Sequence, residues 1–212
     1  MPRDVPDKMR LHWSPKSPFV RKVMLAAHEL GLDEQIERVR TVTTMLRPNP
    51  DLLPDNPLSK IPTLVLADGS ALYDSLTICE YFDHLAGGGV LFPPPGAERW
   101  RALLWHSLGD GLLDMVILWR NEREKDPAIQ FDMWLDAFAR KTTLSLDRLE
   151  TFAPAISAGK FGIGHVAVGC CLAYLDFRFA HLDWRAGRPA LAAWYEAFDA
   201  RPAAQATAIV DG

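Results

Sequence analysis

The run from Gly87-Gly88-Gly89 to Pro93-Pro94-Pro95-Gly96 divides this 212-residue chain into two halves of different character. Successive glycines and successive prolines oppose both helix and strand, so the stretch reads as a linker between domains. Before it, short strand patterns alternate with helical ones. After it, only helical periodicity is found. The chain is therefore expected to fold as an α/β domain over residues 9–86, a linker over 87–96 and an all-helical domain over 97–212. Residues 1–8 carry prolines and charges of both signs, without the apolar core of a signal peptide. They are expected to be a disordered extension.

In the first half, Leu11-His12-Trp13 reads as a strand, and Ser14-Pro15-Lys16-Ser17-Pro18 as a loop. Ser17 before Pro18 fits a helix N-cap followed by proline at the first helical position. Val20, Val23, Met24, Ala27 and Leu30 then recur at helical spacing until Gly31. Residues 36–42 read as a second strand. A third and fourth, around Leu64–Leu66 and Ala71–Tyr73, flank the hairpin signal Asp68-Gly69. A helix over 75–86 follows. The order β-α-β then β-β-α implies a parallel pair with a right-handed crossover and a small four-stranded mixed sheet.

The second half predicts helices over 97–123, 127–152, 163–181 and 189–198. In the first of these, Leu104, Leu108, Leu112, Met115 and Trp119 are expected to form the apolar stripe. Gly162-Ile163-Gly164-His165-Val166-Ala167 matches a dinucleotide-binding G-x-G-x-x-A in letters only. That motif needs a preceding strand, and residues 157–161 read as a loop.

Bulk properties narrow the function. The chain is 49% hydrophobic and 24% charged, ordinary values for a globular protein with a sizeable core. A net charge of −4 argues against a broad nucleic-acid footprint. No apolar run approaches the roughly 18 residues of a membrane span, so no membrane partner is expected and cytoplasmic residence is the default. Cys79, Cys170 and Cys171 sit in apolar surroundings and read as small buried hydrophobes. The six histidines show no metal-ligand spacing.

The stretch from Lys60 to Ser75 looks built to hold an extended peptide. Pro62 stands at the mouth of a strand, where a missing donor costs the ladder nothing. With a cis Ile61–Pro62 bond, the backbone of Ile61 would be turned to pair outside the protein. Asp74-Ser75 at a helix start brings a carboxylate, a hydroxyl and free N–H groups to one spot.

Three segments in order, Ser14 to Val23, Asn56 to Leu64 and Leu72 to Tyr81, resemble the soluble glutathione transferases. The resemblance covers roughly residues 9–205. It implies a thioredoxin-like N-terminal domain followed by an all-α domain. It also implies glutathione as co-substrate, no metal, a small hydrophobic electrophile as second substrate, a role in detoxification and a homodimer. By position, Ile61 beside Pro62 would pair with the cysteinyl part of glutathione. Ser75 would take the γ-glutamyl carboxylate, Asp74 would stand near its amine, and Lys60 would face the glycyl carboxylate. Glutamate is commoner than aspartate beside the serine. Where members of the family carry a serine- or threonine-to-aspartate capping box, this chain has Gly162 and His165, and the reciprocal cap is expected to be lost.

The same resemblance singles out Ser17 as the residue that activates the thiol. Thiolate is the nucleophile. Lowering a thiol from about 8.5 to about 6.5 takes roughly 3 kcal/mol of preferential anion stabilisation. A hydroxyl donor at a helix N-terminus supplies help of this kind. Ser14 is the rival, and a plain N-cap would explain Ser17 equally. Trp13 cannot replace a hydroxyl donor. Arg21 reads either as added positive potential or as a solvated surface residue. Trp105, His106 and Leu113 are candidate walls of the electrophile site. Two alternatives stand on the same fold: a glutathione-binding carrier without catalysis, and a protein-interaction module.

Overall fold

A computed structural model describes residues 8–211. The expected extension lies outside the described residues, apart from Lys8. The chain forms two units. The first runs to Pro93 and takes in the chain again from Ala206; the second is Pro94–Gln205. The boundary thus falls inside the Gly/Pro stretch, and the last residues return to the first unit.

In the first unit, β1 (Met9–Trp13) leads through α1 (Pro18–Leu30) to β2 (Ile36–Arg40), which pairs parallel with β1. Then β3 (Thr63–Val65) pairs antiparallel with β1, and β4 (Ala71–Leu72) antiparallel with β3. The strand order β2-β1-β3-β4 is the four-stranded mixed sheet that the alternation of patterns predicts and the thioredoxin-like one that the resemblance implies. The hairpin turn is fixed by Asp68, whose Oδ1 accepts from the Ser70 N–H at 2.8 Å, with Gly69 at φ 84°. Helix α2 (Ser75–Leu85) packs against α1. Val23 and Leu25 of α1, Ile78 and Phe82 of α2, and Leu11 and Leu64 of the sheet are fully buried. Burying one such side chain contributes about 2 kcal/mol.

The glycine run is not a free hinge. Asp83 of α2 is buried, and its carboxylate accepts from the N–H groups of Gly89, Val90 and Leu91 at 2.9, 3.0 and 2.6 Å. Leu91 and Phe92 are buried behind this clasp.

The second unit holds α3 (Ala97–Arg123), α4 (Asp132–Ala158), α5 (Ile163–Phe179), α6 (Pro189–Asp199) and the start of α7 (Pro202–Ala206). Three expectations change. The long second helix begins and ends later than periodicity suggested, after a 3₁₀ turn at Pro127–Ile129. The short α7 was not foreseen. The inner stripe of α3 is Ala102, Trp105, Gly109, Leu112, Val116 and Trp119, with Leu104 half exposed.

The reason for the last change is backbone proximity. A Cβ on Gly109 would stand 2.8 Å from Val168 N, and one on Gly164 would stand 2.8 Å from Ala102 O. The helices α3 and α5 meet where side chains are missing, and that contact sets the rotation of α3. Two helical windows, in α3 and in residues 163–182, are long and apolar enough by composition to cross a membrane, against the expectation that no run comes close. The second is mostly buried inside the protein, as the central helix of a helical unit is.

Candidate functional site

The turn between β1 and α1 carries both serines. Ser17 is the N-cap of α1, in extended conformation, and its Oγ accepts from the Val20 N–H at 3.3 Å. Pro18 follows at the first helical position, where its missing N–H costs nothing. With the cap bond made through its lone pair, the Ser17 hydroxyl keeps its own proton to donate. Ser14 sits on the same turn, its C=O accepting from the Ser17 N–H at 3.3 Å. Its hydroxyl oxygen accepts from Arg40 Nη1 at 3.3 Å. Arg38 and Arg40 both lie against the ring of Trp13, at 5.6 and 5.8 Å from its centroid to the guanidinium carbons. Lys16 pairs with Asp211 at 3.3 Å, and the Val210 N–H reaches Pro15 O at 3.4 Å. Arg21 is not a solvated surface residue. It is buried, as is Lys22 beside it.

The Ile61–Pro62 peptide is cis, as is Tyr73–Asp74. Among the described residues, Ile61 makes no backbone hydrogen bond. The segment before it is held by Asn56, which is buried. Asn56 Nδ2 donates to Thr63 Oγ1 at 2.9 Å and to Lys60 O at 3.2 Å, and its Oδ1 accepts from the Leu58 N–H at 3.0 Å. One side chain thus braces both sides of Ile61 and Pro62. A second brace runs from β1: His12 lies 2.9 Å from Thr41 Oγ1 and 2.9 Å from Asp55 Oδ2. Sequence reasoning passed over Asn56 and His12. For His12 the available signal was a polar residue between the apolar Leu11 and Trp13; Asn56, among Asp55, Ser59 and Lys60, carried none.

At the start of α2, Asp74 is the N-cap. Its Oδ1 accepts from the Leu76 N–H at 3.0 Å and, more weakly, from the Thr77 N–H at 3.5 Å. The carboxylate that the sequence offered to a ligand amine therefore also caps the helix. Ser75 is buried next to it, and its hydroxyl has no partner among the described residues. Lys60 is exposed. All of these residues belong to the first unit.

The three residues proposed as electrophile walls lie in the second unit, and all are buried. Trp105 packs edge-on to His165 at 5.6 Å, His106 lies 3.8 Å from Asp110, and Leu113 is fully enclosed. They offer a ligand little surface. Below them, the reciprocal cap is lost as expected on the Gly162 side, while His165 keeps its other half. The Gly162 N–H donates to His165 Nδ1 at 3.1 Å, and Nε2 carries the proton that goes to Ile156 O at 2.9 Å. The backward half of a capping box survives, with an imidazole in place of a carboxylate. Glycine supplies no forward half. Burial holds the His165 imidazole below its ordinary value, with the Arg201 charge acting in the same direction. A groove of about 460 Å³ beside His165, lined in part by Phe161, Trp194 and Arg201, contains none of the predicted glutathione contacts. Among the described residues no group of three metal-binding side chains converges. Burial pushes the Cys171 thiol up, the opposite of what a reactive cysteine needs.

Residues 16–85 match the family profile of the glutathione S-transferase N-terminal domain, and residues 132–197 that of the C-terminal domain. A glutathione transferase family member from Pseudomonas fluorescens Pf-5, solved with bound glutathione, is 39% identical. The match covers 96% of this chain and 100% of that one, with a TM-score of 0.93. A glutathione S-transferase from Methylobacillus flagellatus KT, also with glutathione bound, is 31% identical over 96% of this chain and 100% of its own, with a TM-score of 0.84. The uncharacterized GST-like protein YibF of Escherichia coli K12 is 29% identical over 86% of this chain and 90% of its own length. Ordered motifs, a mixed sheet with its cis-proline and a helical second unit agree with these matches, and the chain belongs to the glutathione S-transferase family.

Proposed function

We propose that this protein is a glutathione transferase in which Ser17 stabilises the glutathione thiolate for attack on a small hydrophobic electrophile. The observation that carries the reading is the state of the Ser17 hydroxyl. Its oxygen is engaged by the α1 cap and its proton remains to be donated at a helix N-terminus. A hydrogen bond to the charged form and the positive end of the helix both favour thiolate over thiol. Ile61, whose backbone groups make no hydrogen bond among the described residues, would take the cysteinyl part of the tripeptide. The Ser75 hydroxyl would take the γ-glutamyl carboxylate, Asp74 would face the amine, and Lys60 the glycyl carboxylate. The Pseudomonas relative supports this reading, since it has been solved both with glutathione and with S-(propanoic acid)-glutathione, a glutathione substituted at sulfur. The chain is further proposed to act in the cytoplasm as a homodimer.

The test is Ser17→Ala against Ser14→Ala, with 1-chloro-2,4-dinitrobenzene as electrophile and calorimetry for glutathione. Removing a donor aimed at developing or resident negative charge costs about 10²-fold in turnover. Ser17→Ala is expected to lose on that order, with glutathione affinity changed less than about threefold. Unchanged turnover removes Ser17 from the mechanism. A collapse in Ser14→Ala alone moves the role to Ser14. Tight glutathione binding by the wild type without turnover on any electrophile supports the carrier reading instead.

A further inference from the structure

The Asn56 side chain is only 1% exposed, and both of its amide protons are used inside the first unit. Its Oδ1 accepts from the Leu58 N–H at 3.0 Å, and its nitrogen donates to Thr63 Oγ1 at 2.9 Å and to Lys60 O at 3.2 Å. The buried Thr63 hydroxyl has a single proton, which goes to Lys60 O at 2.9 Å. Asn56, Thr63 and Lys60 thus close a ring of hydrogen bonds in which Lys60 O takes two donors. The loop between them is closed as well. The Ser59 N–H donates to Asn56 O at 2.9 Å, and the Ser59 hydroxyl accepts from the Asn49 N–H at 2.8 Å. Asn56 is itself anchored, its N–H donating to Leu52 O at 2.8 Å.

The Lys60–Ile61 peptide is trans. In a trans peptide the C=O and the N–H that follows it point to opposite sides of the chain. Two donors that hold Lys60 O toward Asn56 therefore turn the Ile61 N–H to the other side. There Ile61 makes no backbone hydrogen bond among the described residues. We propose that Asn56 is a positioning residue for glutathione. Acting on Lys60 O, with Thr63 as its relay, it fixes the direction in which the Ile61 N–H meets the cysteinyl C=O of the bound tripeptide. The inference deepens the transferase reading above and rests on it. Enclosed as it is, Asn56 does not touch the ligand and acts only through the Lys60–Ile61 peptide plane. An N–H···O bond weakens steeply as its angle falls toward about 120°, so a plane released at Lys60 O loses affinity at Ile61. The hydroxyl of Ser17 is untouched by this plane. The effect therefore falls on glutathione binding and leaves turnover at saturation intact.

The experiment measures glutathione affinity by calorimetry in variants of the full chain, together with kcat and KM for glutathione on 1-chloro-2,4-dinitrobenzene. In Asn56→Asp a carboxylate oxygen replaces the amide nitrogen, and the Thr63 hydroxyl turns its proton toward it, so that Lys60 O loses both donors. Affinity is expected to fall about tenfold, with KM rising in step and kcat changed less than about twofold. Thr63→Val removes one donor without adding a charge and should lose about threefold. Thr63→Ser keeps the hydroxyl and should stay within about twofold of the wild type. Phe82→Leu, in the core of the same unit, lowers stability and should leave affinity unchanged. Chemical denaturation ranks the stability of all four. If Asn56→Asp and Thr63→Val bind glutathione as the wild type does, the proposal is overturned, while the transferase reading stands. A loss that follows stability across the set, Phe82→Leu included, or one that falls on kcat with KM unchanged, overturns it too. Should Asn56→Asp not fold, the contrast between Thr63→Val and Thr63→Ser decides. A wild type that binds no glutathione rejects the transferase reading as well.

Discussion

At His165 one imidazole closes the N-terminus of α5, accepting from Gly162 and donating to Ile156. This arrangement has a pH signature. The folded state holds the imidazole neutral, with its proton affinity lowered chiefly by burial and also by Arg201; Trp105, Phe161 and Trp194 are its other close ring neighbours. The unfolded chain takes up a proton near the ordinary value of 6.5. Below that pH the unfolded state binds more protons than the folded one. The stabilisation is therefore complete above about pH 6.5 and is lost as pH falls toward the folded-state value. Wild-type melting temperature should drop between pH 7.5 and pH 5 more steeply than that of His165→Asn, measured by circular dichroism. Parallel pH profiles would show that the imidazole titrates alike in both states. The sequence did place Gly162 and His165 at the cap positions. It did not disclose that an imidazole could accept from the backbone there, because that depends on which ring nitrogen Ile156 engages. Ser17 as an N-cap was legible, since the Ser-Pro pair constrains its own backbone. Arg40 beside Ser14 was not, since their 26-residue separation is closed only by the parallel pairing of β1 and β2.

Elements were legible where local pattern governs and less so where packing does. The strands, α1 with its Gly31 cap and α2 fall within a few residues of their predicted limits. The helix α3 keeps its expected ends, but its inner stripe is rotated: Leu112 and Trp119 stay inside, while Leu104 turns outward and Trp105, Gly109 and Val116 turn in. Leucine spacing alone cannot reveal that a neighbouring backbone requires glycine at the crossing. Gly109→Ala should therefore destabilise the protein by about 3 kcal/mol through overpacking, although alanine is the better helix former by about 1 kcal/mol. Chemical denaturation checks this, and a neutral or stabilising result would show that α3 and α5 can separate without loss. Gly111, on the open side of the same helix, is the control. No neighbouring atom crowds a Cβ there, so Gly111→Ala should be neutral or stabilising.

For the whole molecule, two units of different class follow directly from the change of pattern across the glycine and proline run. The run itself behaves differently from its composition. Asp83 clasps its first half, turning part of an apparent linker into the closing segment of the first unit. The carboxylate responsible sits in α2, and nothing local to the glycines announces it. The proposed homodimer belongs at this scale. Leu46 is 91% exposed, with Val42, Met45 and Leu58 also largely open on the first unit. Three of these four lie within five residues of chain, and a contiguous exposed apolar patch marks an interaction surface. Sedimentation should give the mass of two chains for the wild type, and Leu46→Asp should shift the equilibrium toward one. A wild type that sediments as a single chain at micromolar concentration would rule the dimer out.

The return of the chain to the first unit also orders events during synthesis. Residues 210 and 211 tie down the turn bearing Ser14 and Ser17, yet they leave the ribosome after the entire helical unit. At translation rates of roughly 5–20 residues per second, that turn waits on the order of ten seconds for its last contacts. A nascent chain can thus complete its sheet early, while the serine-bearing turn acquires this tether only after the helical unit has been made.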